Sequence, residues 1–436
     1  MAAVAEVRTV ERSWIRRASS YDPYLLVSVL ALAALGVIMV YSASIVVAIN
    51  YYGSSYFLER ELIFICLGLV ALVMGARIPY LWWKRVSAPI FGLSVLLLVA
   101  VLVPHVGHSS NGAQRWFQFA GFQIQPSEII KVTLAIYMAS WLASKGDKVR
   151  SFKDCSMPFG IILGVVCALI LIQPDLGTTV VVAVSMISLF LVAGSSILHF
   201  LLGIGASSVL TIFTLHFRRY QGARLSAWLD PWKYPTGAGY HTIQALLALG
   251  LGGLTGVGLG NSQQKFFLPA PYTDSIFAVT SEELGLLGAL CVVGLFLVLG
   301  YRGFKIAMKA PDDFGKLLAV GLTTIIVIQA FLNIAVITSS VPFTGVPLPF
   351  ISYGGSSLIV SMLAVGIMLN ISRHSATSHG PAEGIKHGDR GDNTGRSDGG
   401  QDRRPRLSSA RSHPDAATLR GRRPVRDLGV SAYSED

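Results

Sequence analysis

Apolar residues run through this chain in long blocks parted by short polar segments. Blocks of roughly 17–25 apolar residues match the length of a helix that crosses a bilayer. About ten occur, near 23–48, 58–77, 86–105, 127–144, 157–174, 176–195, 197–217, 276–301, 315–339 and 355–371. The pattern predicts an all-α polytopic membrane protein of about ten transmembrane helices, with a large extracytoplasmic loop, residues 218–275, between helices 7 and 8. The basic connectors "RSWIRR", "RIPYLWWKR", "SKGDKVRSFKD" and "YRGFKIAMKAPDDFGK" fall on one side if the spans alternate. The excess of Lys and Arg in short cytoplasmic loops makes that side the cytoplasm and places both termini there.

Composition narrows the class. The 436 residues are 52% hydrophobic and 14% charged, with a mean hydropathy of +0.58, which excludes an ordinary soluble domain. The basic N-terminal stretch runs into a full-length apolar block with no small-residue cleavage site, so residues 1–22 are expected as a cytoplasmic segment before a retained first helix. Residues 23–371 form the expected membrane domain. The tail, 372–436, is rich in Gly, Ser, Arg, Asp and Pro and nearly free of aromatic residues, and is expected to be a disordered cytoplasmic segment. Its arginines suit anionic lipid, a cytoplasmic partner or plain solvation. A net charge of +11 raises the question of nucleic acid, but the charge lies in connectors and tail, so no nucleic-acid partner is expected. Cys66, Cys155, Cys167 and Cys291 lack CxxC spacing and are expected as small core residues.

The charges that break the orientation rule are the informative ones. Arg115, Arg218, Arg219, Arg224, Lys233 and Lys265 fall on the extracytoplasmic side. They suit an anionic ligand there, since Arg and Lys are the usual readers of phosphate; pairing with Asp230 or with headgroups is the other reading. In "QPSEIIK", Pro126 fits a first helical turn and puts Glu128 and Lys131 on one face, either as a buried pair or in contact with a ligand. In "QPDLGTT", Asp175 suits the cap of a new helix. The glycine-rich "LLALGLGGLTGVGLGNSQQKF" lacks Walker spacing and suits closely packed short helices or a re-entrant turn. "PLPFISYGGSS" supplies a proline-fixed loop with Gly354 and Gly355 at the mouth of the last span. In "FFLPAPYTDSIFAVTSEELG", Pro269 and Pro271 delay the helix until about Thr273 to Ser275, so Asp274 stands at a helix N-terminus as a cap or as a functional acid. Glu282 and Glu283 lie about 12 Å deeper at 1.5 Å per residue and need buried partners or a wet cavity, with Lys131 a candidate partner.

Four stretches carry a family resemblance: "NGAQRWFQFAGFQIQPSEIIK", "QPDLGTT", the run from "RLSAWLDPWKYPTGAGYHTIQ" to "PAPYTDSIFAVTSEELG", and "NIAVITSSVPFTGVPLPFISYGGSS". Together they resemble the SEDS family, the shape, elongation, division and sporulation proteins, over roughly residues 25–371, and the last stretch is most similar to the division members. The resemblance implies a ten-helix peptidoglycan glycosyltransferase that polymerises lipid II at the outer face of the bacterial cytoplasmic membrane, at the division septum. Its implied partners are lipid II, the nascent lipid-linked glycan, a class B penicillin-binding protein transpeptidase and other divisome membrane proteins. It implies Asp274, in the family's "HTDFIFA" position, as the catalytic acid. Arg115, Glu128, Lys131, Arg224, Gln264 and Lys265 follow as substrate-cavity residues, and Asp175, Glu282 and Glu283 as structural supports. The chain departs from the family where Ala270-Pro271-Tyr272 replaces a Glu-x-His and Ser275 replaces a Phe, which removes any role for that His or Glu and leaves Asp274 in place. No cofactor is implied; a divalent cation at the pyrophosphate stays open, with no ligand cluster in the sequence to hold it. From the residues alone, a lipid II flippase and a noncatalytic divisome scaffold stand beside the enzyme.

Overall fold

The computed structural model describes residues 21–375, apart from 52, 105–106, 111–112, 120–121, 238 and most of 197–218. Its elements run α1 (Pro23–Tyr51), α2 (Tyr56–Arg77), α3 (Tyr80–Ala100), β1 (His108–Ser110), β2 (Ala113–Phe119), β3 (Phe122–Ile124), α4 (Pro126–Ala143), α5 (Met157–Ile172), α6 (Leu176–Val192), α7 (Arg219–Leu229), α8 (Tyr240–Gly252), α9 (Ile276–Met308), α10 (Asp313–Ile337) and α11 (Gly355–Ser375). Nine of these helices fall on nine of the expected spans; the expected seventh, 197–217, lies mostly outside the described residues, as do Arg218 and 376–436. Six of the nine spans are long and apolar enough to cross a bilayer on length and composition alone. Of the others, α2 and α4 carry buried charge, namely Glu61, Glu128 and Lys131, and α6 is shorter.

Two expectations change. The third helix begins at Tyr80, six residues before the expected start at 86. The reason is polar anchoring: the Tyr80 N–H donates to Asn370 Oδ1 at 2.9 Å and its hydroxyl to Asp312 Oδ2 at 3.0 Å, so the aromatic and basic start of the segment is bound into helix. The segment before α4, in a chain expected to be all-α, folds as an antiparallel sheet in the order β1-β2-β3. Phe117 pairs with Ile124, Gln118 with Gln123 and Phe119 with Phe122, a register that the alternation of aromatic and amide residues favours. Of the four free cysteines, Cys155 and Cys167 are core residues, whereas Cys66 and Cys291 are exposed on helix faces.

Close backbone approach sets the packing of α2 on α11. A Cβ on Gly75 would stand 2.8 Å from Leu363 O and 2.9 Å from Ile367 N, and one on Gly366 would strike the Leu72 carbonyl. Small residues at such contacts supply the van der Waals packing that replaces hydrophobic drive between helices in lipid. At one end of the bundle the Asp22 N–H donates to Ser372 Oγ at 3.2 Å, and the Arg302 guanidinium grips the Asp22 carboxylate, so the start of α1, the end of α9 and the end of α11 lie together.

The break in α9 organises the opposite end. Gly285 has φ +67° and ψ −168°, which interrupts the helical ladder. The glycine-rich loop after α8 replaces the lost partners. Val257 and Gly258 donate to the carbonyls of Glu282 and Glu283, both at 3.0 Å. In return Leu286 and Leu287 donate to Gly253 O at 2.9 Å and Leu254 O at 3.2 Å. Backbone groups away from water require such partners. Gly285→Ala places a Cβ against Gly256 N at a positive φ, with an expected loss of about 1–3 kcal/mol. Thermal unfolding in detergent checks this, with Gly294→Ala, which meets nothing within 4 Å, as the reference that should stay at the wild-type melting temperature.

Candidate functional site

Asp274 stands just before α9, at the end of that helix opposite the Asp22 clasp. The helix starts at Ile276, and neither Asp274 nor the preceding residue of the helix, Ser275, makes a side-chain cap bond. The cap position falls on Ser275 and not on Asp274, and Asp274 Oδ1 accepts the Thr273 hydroxyl at 3.0 Å. Oδ2 faces the loop 343–347, where a Cβ on Gly345 would stand 3.5 Å away. Asp274 is half-buried. Loss of water around the carboxyl raises its pKa above the ordinary value, against the opposing pull of the Thr273 hydroxyl, the N–H groups of Asp274 and Ser275 and the positive charge of Arg224.

The loop 343–347 is held from several elements at once. Asn333 of α10 donates through its amide to Asp274 O at 2.8 Å and to Val346 O at 2.7 Å. One turn earlier, Gln329 donates to Pro347 O at 3.0 Å and accepts from Lys131 Nζ at 2.5 Å. Arg224 of α7 donates to Phe343 O at 3.2 Å, with its guanidinium 4.9 Å from the Phe343 ring centre. The His241 ring of α8 lies 4.0 Å from the same ring, with Nε2 2.6 Å from Ser275 Oγ. At the start of α6, a Cβ on Gly177 would strike the Val346 side chain.

The remaining expected site residues form three groups, buried apart from the half-buried Arg115. Glu128 and Lys131 pair at 2.8 Å with side chains 3% exposed, tied to the loop through Gln329. Arg115 of β2 donates to Gln173 O at 2.7 Å and to Pro174 O, while Asp175 accepts from Thr178 N at 3.1 Å and Gln125 Nε2 at 3.2 Å, so sheet and the α5–α6 turn are joined. Glu282 accepts from Ser262 Oγ at 2.5 Å, Gln263 N at 2.8 Å and Gln264 N at 3.2 Å. Glu283 accepts Ser42 Oγ at 2.5 Å and lies 3.9 Å from Lys265 Nζ, which donates to Gly260 O at 2.6 Å. The partners of Glu282 and Glu283 thus come from the loop before them and from α1; Lys131, the expected candidate, is taken by Glu128 and Gln329. Lys233 pairs with Asp230 at 3.1 Å on the surface.

His241, Gln329, Asn333, Phe343 and Gly345 belong to this site and were not singled out from sequence. Gln329 and Asn333 did carry a signal, two amides four residues apart inside an apolar helix. No cluster of three or more His, Cys, Asp or Glu side chains suited to a metal ion occurs among the described residues.

Fold and site define a polytopic helical membrane protein with the half-buried Asp274 carboxyl at one end of its bundle. The model of the FtsW, RodA and SpoVE family, described as "Cell cycle protein", matches residues 23–377, and the chain belongs to that family. It is 42% identical over 359 residues to "Probable peptidoglycan glycosyltransferase FtsW" of Trichlorobacter lovleyi, covering 82% of this chain and 94% of that one. It is also 42% identical over 363 residues to "Stage V sporulation protein E" of Bacillus subtilis, covering 82% and 98%. Among solved structures, a chain of a peptidoglycan synthase complex superposes with TM-score 0.69 at 29% identity, covering 82% of this chain and 98% of that one. The rod shape determining protein RodA of Thermus thermophilus gives 0.61 at 28% identity, covering 81% and 97%.

Breaking one side of a buried ion pair costs about 3–5 kcal/mol because the other charge is left alone. Glu128→Gln and Lys131→Met should each lower the detergent melting temperature by more than the double variant does. An additive double variant in that cycle would contradict the coupling.

Proposed function

We propose that the chain is a peptidoglycan glycosyltransferase that polymerises lipid II into β-1,4 glycan strands at the outer face of the bacterial cytoplasmic membrane during septal wall synthesis. The observation that supports this reading most is Asp274: a half-buried carboxyl of raised pKa, released from any capping duty and held by backbone and Thr273 under the influence of Arg224. A general base needs that combination, since it must be unprotonated at working pH yet basic enough to take a proton.

The reaction joins two lipid-linked chains. Asp274 takes the proton of the GlcNAc 4-hydroxyl as that oxygen attacks MurNAc C1. The bond from C1 to the pyrophosphate oxygen breaks, the electron pair leaves with undecaprenyl diphosphate, and one displacement inverts the anomeric centre. The leaving group needs positive charge rather than a proton. Arg224, whose charge already acts on Asp274, is the first source of it. Arg115 and Lys265 complete the proposed cationic set once they release the carbonyls that hold them.

The relatives' names and the synthase-complex neighbour support a class B penicillin-binding protein transpeptidase as the working partner, with other divisome membrane proteins beside it. In this reading, both termini and the tail lie in the cytoplasm, consistent with the basic connectors.

With the cognate transpeptidase and lipid II supplied, Asp274→Ala and Asp274→Asn should lose glycan synthesis by about 10²–10⁴-fold, the usual worth of a placed proton transfer. The wild-type rate should rise with pH as Asp274 loses its proton. Its acid limb should lie above the ordinary aspartate value of about 3.9, because burial favours the protonated form. Wild-type polymerisation by folded Asp274→Ala would remove the catalytic assignment. Transfer of labelled lipid II across liposomes that needs the protein and survives Asp274→Ala would favour a flippase.

A further inference from the structure

We propose that His241 is a positioning residue for Asp274, acting through the hydroxyl and backbone of Ser275; the inference rests on the reading of Asp274 as the base. Ser275 is wholly buried, and its hydroxyl makes no cap bond to α9. That hydroxyl has two partners instead, His241 Nε2 at 2.6 Å and Pro269 O at 3.4 Å. With the hydroxyl donating to Pro269 O, the imidazole carries hydrogen on Nε2 and donates to Oγ. Ser275 directly follows Asp274 in the chain, and its backbone N–H favours the ionised carboxylate, as do Asp274's own N–H and the Thr273 hydroxyl, which donates to Oδ1 at 3.0 Å. Whatever fixes Ser275 therefore fixes the angle of the carboxyl.

His241 is well placed to do so because it is itself held. Its ring lies 4.0 Å from that of Phe343 with the planes inclined by 47°. Arg224 grips Phe343 from its other contact, through the carbonyl and over the ring. A line of contacts thus runs from the base through Ser275, His241 and Phe343 to the cation assigned to the leaving group. Among the described residues, the charged groups that face this line are Arg224 and Asp274. Burial first, and then Arg224, push the His241 pKa down to about 4, so the ring is neutral at working pH. A neutral ring can orient Ser275 without adding a second positive charge that would lower the basicity of Asp274.

The test uses the full chain with its transpeptidase partner. His241→Ala should lower kcat by about tenfold, in the range that small misplacements of a reacting group produce, leave KM within about twofold, and move the acid limb of kcat to higher pH because a carboxylate donor is loosened. His241→Gln, which keeps an N–H donor at similar reach, should restore most of kcat. Unchanged kcat and acid limb in His241→Ala, or a Gln variant as slow as Ala, would overturn the proposal. Should His241→Ala fail to fold, Ser275→Ala removes the same bond with little loss of volume and must show the same kcat loss; wild-type kcat there also overturns it. Infrared titration of the Asp274 carboxyl, taken as the difference between each protein and its Asp274→Asn form without lipid II, reads position apart from turnover. An upward shift in His241→Ala supports the positioning role, and no shift overturns it. A shift accompanied by a wild-type protein that makes no glycan would overturn the glycosyltransferase reading alone.

Discussion

The side-chain amide of Asn333 donates its two hydrogens to two different segments, the backbone of Asp274 and that of Val346. Both segments are irregular, and irregular backbone at membrane depth survives only when its polar groups find partners within the protein. Net, each bond contributes about 1 kcal/mol, yet a buried carbonyl left without a donor costs about 1–3 kcal/mol. The amide therefore sets where the loop 343–347 and the start of α9 can lie. Arg224, His241, Gln329 and Gly177 all meet that loop, so their mutual geometry follows from where Asn333 pins it.

Three buried acids and the half-buried Asp274 receive different environments. Glu128 has a lysine at 2.8 Å. Glu282 is satisfied by a hydroxyl and backbone N–H groups, the arrangement of an anion held by oriented dipoles. Glu283 combines a hydroxyl with a more distant lysine. Asp274 accepts a hydroxyl, has no ion pair among the described residues, remains partly accessible and feels the charge of Arg224. The first three are suited to holding helices and loops together. The fourth keeps the freedom to change its proton.

Legibility in the sequence followed the range of the interaction. The spans were readable because each is a local run of apolar residues, and the Asp175 and Glu128–Lys131 contacts because both partners lie three residues apart. The sheet was not foreseen, since its Gln and aromatic alternation is short and lies beside long helical signals. The partners of Glu282 and Glu283 were misassigned because they arrive from the loop 262–265, whose path depends on the break at Gly285, and from Ser42 of the distant α1. His241 gave no local sign at all, for its contacts to Ser275 and Phe343 exist only once α8 folds back against α9 and the 343–347 loop.

The break in α9 also bears on how the protein meets lipid. An unbroken helix of 33 residues would measure about 50 Å at 1.5 Å per residue, well beyond a hydrocarbon core of about 30 Å. Interruption at Gly285 leaves a lower rod of about 35 Å, a length that a modest tilt accommodates, and assigns the upper turns with Glu282 and Glu283 to the protein cap. Tilt of the lower rod can then answer changes in bilayer thickness while the cap keeps its own register. Asp274 then precedes the short upper segment of α9 and not the rod whose length matches the bilayer.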